Sequence, residues 1–170
     1  MTELPDQTQP PKDPAAAREE AADYMGFLAA KTVPLNDGST IDIPNPSMFD
    51  DDTQERWDEF QMFLESCERY PDRTVPAHKI TVNGNEVFVP ETTIVGDVLR
   101  PLRRKNDEGK VERVKPGYEV RLAQAVLGED GYRDAHANGL QATDVALYIN
   151  EMQKRYNDRK ASDSKSRSGS

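Results

Sequence analysis

Three successive aspartates (Asp50-Asp51-Asp52), one thiol (Cys67), two histidines (His78 and His136) and a cation cluster (Arg100, Arg103, Arg104, Lys105) are the side chains whose types and spacing bear on chemistry. Adjacent carboxylates attract divalent cations. A calcium loop, however, alternates its ligands around a turn glycine and ends on a distal bidentate Glu, and neither follows Asp50 at the required spacing. The run reads instead as the cap and first turn of a helix. A nucleophilic Cys67 needs a histidine beside it and a site that stabilises thiolate, yet it falls on an apolar helical stripe, where a thiol is buried and inert. His78 flanks a turn-rich segment and His136 lies in a polar one, each without an evident carboxylate to orient it. One cysteine and two histidines provide no zinc spacing and no intrachain disulfide. Neither Gly84 nor Gly96 belongs to a phosphate-binding glycine pattern. The sequence therefore predicts no catalytic residue, no metal site and no cofactor, and a protein that is not an enzyme.

Recognition chemistry is what remains. Arg100, Arg103, Arg104 and Lys105 gather four cations directly after an apolar stretch, which fits a patch for an anion or an acidic partner, or a solvated helix end whose cations face the negative dipole. Two apolar stripes at helical spacing, Trp57, Phe60, Phe63 and Leu64, then Val145, Tyr148, Ile149, Met152 and Tyr156, read as core or as faces left partly open to a partner helix. The chain has 170 residues and a net charge of −9, of which residues 159–170 contribute +3, leaving −12 on the remainder. Such an acidic body repels phosphate backbones and disfavours nucleic acid as a partner. Hydrophobic content of 35%, charged content of 31% and a mean hydropathy of −0.84 allow one modest core with polar ends. No apolar run approaches the ~20 residues of a membrane span, and no secretory leader opens the chain, so the expectation is a soluble intracellular protein.

The elements that position these residues follow from periodicity and turn chemistry. Residues 1–13, with three prolines in a polar stretch, are expected to be disordered. Asp13 and Pro14 predict a helix start, with Ala15 to Ala30 as its body and Ala21, Tyr24, Met25 and Leu28 on one face. Asn36-Asp37-Gly38 predicts a hairpin over 31–43, in which Ile41 and Ile43 alternate with Thr40 and Asp42. Asp50 to Thr53 opens a helix that stops before Pro71. Asn83-Gly84 predicts a second hairpin over 78–89, pairing Ile80 with Val87 and Val82 with Asn85. Thr92 or Thr93 is placed to cap a short helix bearing Ile94, Val95, Val98, Leu99 and Leu102, and 105–115 reads as a charged loop with an extended piece at Val111. Helices follow at Tyr118 to Leu127 and Gln141 to Arg159, with a helical turn over Asp130 to Ala137 between them. The predicted class is α+β, mainly α: three or four helices packed with two small β-hairpins. One helix-rich domain is expected over 14–158, followed by a flexible basic, Ser-rich tail over 159–170.

The turn with "IDIPNP" (Ile41 to Pro46), the helix start Asp50-Asp51-Asp52-Thr53-Gln54-Glu55-Arg56, and the later block Leu122 to Glu129 resemble the tail assembly chaperones of long-tailed phages that infect actinobacteria. The resemblance covers roughly residues 35–160. It implies a protein that coats the tape measure protein, recruits the major tail tube protein, works with a frameshifted longer form of itself, and is lost from the finished tail. It also implies a host-cytoplasmic location during assembly, leaves room for self-association, and places the end from Lys160 to Ser170 near a change of reading frame. A structural virion component, such as a head-tail connector or tail terminator subunit, fits the same small, acidic, non-catalytic character, and an adaptor acting through the Arg100 to Lys105 cluster is a third reading.

Overall fold

Local chemistry sets most element boundaries in the computed structural model, which describes residues 13–25 and 29–166, with side chains for 13–22 and 29–158. Asp13 caps α1 (Pro14–Met25) by accepting the Ala16 N–H on Oδ1 at 2.8 Å. The helix is shorter than expected, because Ala30 opens β1 (Ala30–Pro34); of its predicted face, Leu28 and the Tyr24 and Met25 side chains lie outside the described residues. β1 pairs antiparallel with β2 (Thr40–Pro44) around the Asn36-Asp37-Gly38 turn, where Asp37 Oδ1 accepts the Ser39 N–H at 2.9 Å. Alternation then buries Ile43 and leaves Thr40 and Asp42 in solvent.

A short 3-10 turn (Pro46–Met48) leads to α2 (Asp51–Glu65), capped by Asp50 through Oδ1 to the Thr53 N–H at 2.9 Å. Four short strand segments follow: β3 (Arg73–Val75), β4 (His78–Val82), β5 (Asn85–Val89) and β6 (Thr92–Ile94). Then come β7 (Arg103–Lys105), β8 (Val111–Arg113), α3 (Tyr118–Leu127), α4 (Glu129–Ala137) and α5 (Ala142–Ser166). The described residues thus form five helices and four two-stranded antiparallel sheets, an α+β fold.

Three expectations change. Residues 92–94 are a strand, paired with β3, because Thr92, Thr93, Ile94 and Val95 are a β-branched run that prefers extended backbone. The stretch 105–115 contributes to a hairpin, β7–β8, turned by Asn106 to Gly109; the Asn106 side chain accepts the Glu108 and Lys110 N–H groups and so builds the turn itself. The predicted flexible tail is helical through Ser166, since Lys160 and Ala161 continue α5 with good helix formers.

The domain expected over 14–158 divides into two compact units. The first comprises Met1–Asp58 with Glu119–Ser170, and the second Glu59–Tyr118. The first has a layered core: Ile43 from β2, Leu122, Ala123 and Val126 from α3, Tyr132 and Ala135 from α4, and Val145, Ala146, Ile149 and Met152 from α5. Arg56 Nε donates to the Ala125 carbonyl at 3.1 Å and Nη2 to Thr53 Oγ1 at 2.9 Å, pinning the start of α2 to α3. In the second unit the buried apolar side chains are Phe60, Leu64, Cys67 and Leu102 alone among the described residues. That is a thin core for sixty residues, and it leaves much apolar surface uncovered.

Candidate functional site

The second unit is organised around one continuous antiparallel ribbon. Leu99 N–H donates to the Glu68 carbonyl at 2.9 Å, Arg69 bridges Val98, and Tyr70 N–H donates to the Asp97 carbonyl at 2.9 Å. β3 with β6, then β4 with β5, carry the same register outward to the Asn83-Gly84 turn. Pro76, which lacks an N–H at a position that faces the other strand, interrupts the ladder between the two strand pairs. At the tip, Asn83 and Gly84 both have positive φ (52° and 81°), the geometry that matches a two-residue turn to strand twist. At the base, Gly96 lies so close to the other strand that a Cβ there would sit 1.9 Å from the Tyr70 carbonyl oxygen. With a rise of about 3.3 Å per residue, the strand from Arg73 to Val82 extends about 30 Å.

Sequence reasoning found the pairing of this hairpin, including Ile80 opposite Val87 and Val82 opposite Asn85, but expected it to pack on helices. It does not. Ile80, Val82 and Val87 share one ribbon face and are 41%, 46% and 43% exposed, while Phe88 on the opposite face is 65% exposed. Lys79 Nζ meets Glu86 Oε2 at 2.8 Å on the Phe88 face, so the only charges of β4 and β5 engage each other.

The cation cluster is not one patch. Arg100 lies over the Tyr118 ring at 3.7 Å and Arg104 over Phe63 at 5.8 Å, both as cation–π contacts. Strand alternation in β7 puts Arg103 and Lys105 on the other face from Arg104. Arg103 stands directly opposite Arg113, a like-charge pair that sequence reading missed because it requires the β7–β8 register. A cleft of about 480 Å³ opens between α2 and the ribbon base, floored by Leu64, Val98 and Tyr118 and rimmed by Arg69, Asp97 and Arg100. Arg69 Nη1 is tied to the Gly96 carbonyl at 3.1 Å, which makes that guanidinium part of the ribbon's anchor.

The two helical stripes are core. Phe60 and Leu64 are buried in the second unit, and Val145, Tyr148, Ile149 and Met152 in the first, so none of them presents a face. Trp57 is half-buried with its ring edge-on to Phe49 at 5.5 Å, Phe63 is half-buried, and Tyr156 is 36% exposed. The reason is periodicity itself: an apolar stripe at 3-4 spacing is what a helix needs to bury one side. Within the first unit, the Tyr148 hydroxyl has no hydrogen-bond partner among the described residues, and burial pushes its pKa up.

The candidate reactive groups all have structural roles. Cys67 is buried just beyond α2. His78 Nδ1 lies 3.0 Å from the Pro76 carbonyl and His136 Nδ1 2.9 Å from that of Leu140; a carbonyl only accepts, so each Nδ1 carries the proton. Asp50 is held below the usual carboxylate range by the Thr53 hydroxyl first and the Thr53 N–H second, as a capping residue is. Among the described residues, no three His, Cys, Asp or Glu side chains gather to hold a metal ion, and no helix is long and apolar enough to cross a membrane. Comparison with family models, with curated proteins and with solved structures gave no match.

Proposed function

We propose that this chain is a non-catalytic binding protein, a tail assembly chaperone of long-tailed actinobacteriophages, and that its client contacts lie on the second unit. The observation that carries the reading is the distribution of apolar surface. Of the eleven large hydrophobic side chains exposed among the described residues, nine lie within 59–118, including Tyr70, Ile80, Val82, Val87, Phe88, Ile94 and Val95. Patches of that kind mark surfaces that meet other macromolecules. A ribbon with apolar side chains and free edges suits an amphipathic helix or an extended segment, the forms that a long coiled-coil-prone client offers before assembly. The chain's net charge of −9 keeps such a complex dissolved.

On this reading the client is the tape measure protein, the tail tube subunit and a frameshifted longer form of the chain are further partners, and the protein acts in the host cytoplasm without entering the particle. Co-expression with the tape measure protein tests it. The wild type keeps the client in the soluble fraction and co-purifies with it, and purified phage particles lack the chain. Recovery of the chain in stoichiometric amount from mature particles would instead identify a structural component, and an insoluble client in its presence would end the chaperone reading.

A further inference from the structure

We propose that two copies of this chain pair edge to edge through β5, antiparallel and centred on Val87, to form a four-stranded sheet. The inference goes beyond the client-binding role and holds whatever the client is.

The backbone supplies the first reason. Val82 and Asn85 flank the two-residue turn and so exchange both ladder bonds, and strict alternation along β5 then turns Val87 and Val89 inward. The N–H and C=O of Glu86 and Phe88 consequently point away from β4. No hydrogen bond from elsewhere in the described residues reaches these four groups. In a two-fold arrangement about Val87, Glu86 of one copy exchanges bonds with Phe88 of the other, while the two Val87 side chains meet as a close non-hydrogen-bonded pair. No like charges stand opposite each other in this register.

The second reason is that the edge is unguarded within β5 itself, Pro90 lying just beyond its end. Exposed edges are ordinarily blunted by Lys, Pro or a bulge. β5 reads Asn-Glu-Val-Phe-Val, and its one charge, Glu86, is already paired with Lys79. β4 carries that lysine, so β5 is the freer side. A lone two-stranded ribbon is also marginal in water, and a four-stranded sheet is not.

Electrostatics selects a second copy as the occupant. Residues 59–118 hold ten Lys and Arg against ten Asp and Glu, so the whole net charge of −9 lies in the other unit. Two acidic molecules approach at least cost through their neutral units. Pairing sets Ile80, Val87 and their counterparts in one row across four strands, which doubles the apolar face.

Sedimentation velocity on the full chain, with Val87→Cys and Glu86→Pro variants, tests this. The wild type sediments as a dimer. Val87→Cys oxidises to a dimer whose disulfide joins the two introduced thiols, whereas the wild type with Cys67 alone does not cross-link. Glu86→Pro deletes an outward N–H that β4 does not use, and raises the dimer dissociation constant by roughly tenfold or more, while Glu86→Ala leaves it near the wild-type value. A monomeric wild type at submillimolar concentration overturns the proposal. So does a dimer in which Val87→Cys fails to cross-link, or an open series of higher oligomers. Should Glu86→Pro misfold, the cross-link decides alone. Loss of client solubilisation with the dimer intact counts against the chaperone reading only.

Discussion

Gly96→Ala is a perturbation whose cost can be worked from three distances. The new methyl carbon would stand 1.9 Å from the Tyr70 carbonyl oxygen, 2.6 Å from the Tyr70 carbonyl carbon and 3.0 Å from the Pro71 oxygen, all of them backbone atoms with no rotamer to yield. Relief requires the two ribbon strands to part by about 1 Å at their base. That separation takes three bonds out of range: Tyr70 N–H to the Asp97 carbonyl at 2.9 Å, Gly96 N–H to Asp72 Oδ1 at 2.9 Å, and Arg69 Nη1 to the Gly96 carbonyl at 3.1 Å. At ~0.5–1.5 kcal/mol net for each, the loss is about 2–4 kcal/mol, a large share of a typical domain's ~5–15 kcal/mol. The loss falls on the unit with the thinner core. Urea unfolding with amide hydrogen exchange reads it: exchange at Tyr70 and Leu99 accelerates, while Trp57 fluorescence, which reports on the first unit, shifts little. Gly117→Ala is the control, since a Cβ there meets nothing within 4 Å. Gly96→Ala within about 0.5 kcal/mol of the wild type, with protection unchanged, would refute the close approach and the ribbon base built on it.

Three further outcomes are expected. Ile80→Thr, Val82→Thr and Val87→Thr together keep β-branched side chains on the ribbon, so the melting temperature stays near the wild-type value. With 41–46% of each side chain open to a partner, the loss is ~1 kcal/mol per position, and client affinity falls about a hundredfold in a binding titration; unchanged affinity places the client elsewhere. Tyr148→Phe removes a buried hydroxyl without a partner among the described residues and stabilises the protein by about 1 kcal/mol, seen as a higher urea midpoint; a lower midpoint means the hydroxyl is bonded. Asp50→Ala removes the α2 cap and costs about 1 kcal/mol at neutral pH. Because the Asp50 pKa is depressed in the fold, its contribution is complete above the ordinary value of 3.8 and is lost as pH falls through the lower folded value, so the two midpoints converge in acid. A gap that persists there assigns the stabilisation to something other than the charged cap.

Much of the fold was legible because it is written in caps and turns. Asp13, Asp50, Asn36-Asp37-Gly38, Asn83-Gly84 and Gly128 each satisfy or terminate backbone groups within a few residues, and the structure uses each where local chemistry places it. The errors lie where a non-local pairing decides. β6 joins its β-branched run to a partner, β3, that lies about twenty residues away, and β7 becomes part of a hairpin only when Val111 to Arg113 returns to meet it. The register that sets Arg103 against Arg113, and the close approach at Gly96, are likewise properties of two segments together and leave no mark on either alone.

Most of the two helical stripes proved to be core for a reason that reaches beyond this chain. Phe60, Leu64, Val145, Tyr148, Ile149 and Met152 attracted attention because their spacing is regular, but regular helical spacing is selected by burial and these six are buried, whereas Trp57 and Phe63 are half-buried and Tyr156 is exposed. The surface that remains open is found by the opposite test, alternation with no second layer to cover it. Between 59 and 118 that deficit is present in the sequence: four strand segments with apolar alternation follow one helix that supplies only Phe60 and Leu64, with Cys67 just beyond it, to the local core. A two-faced ribbon needs a layer on each side, and one helix cannot provide both. On the proposed reading the missing layer comes from another molecule, whose approach the neutrality of this unit on an otherwise acidic chain favours.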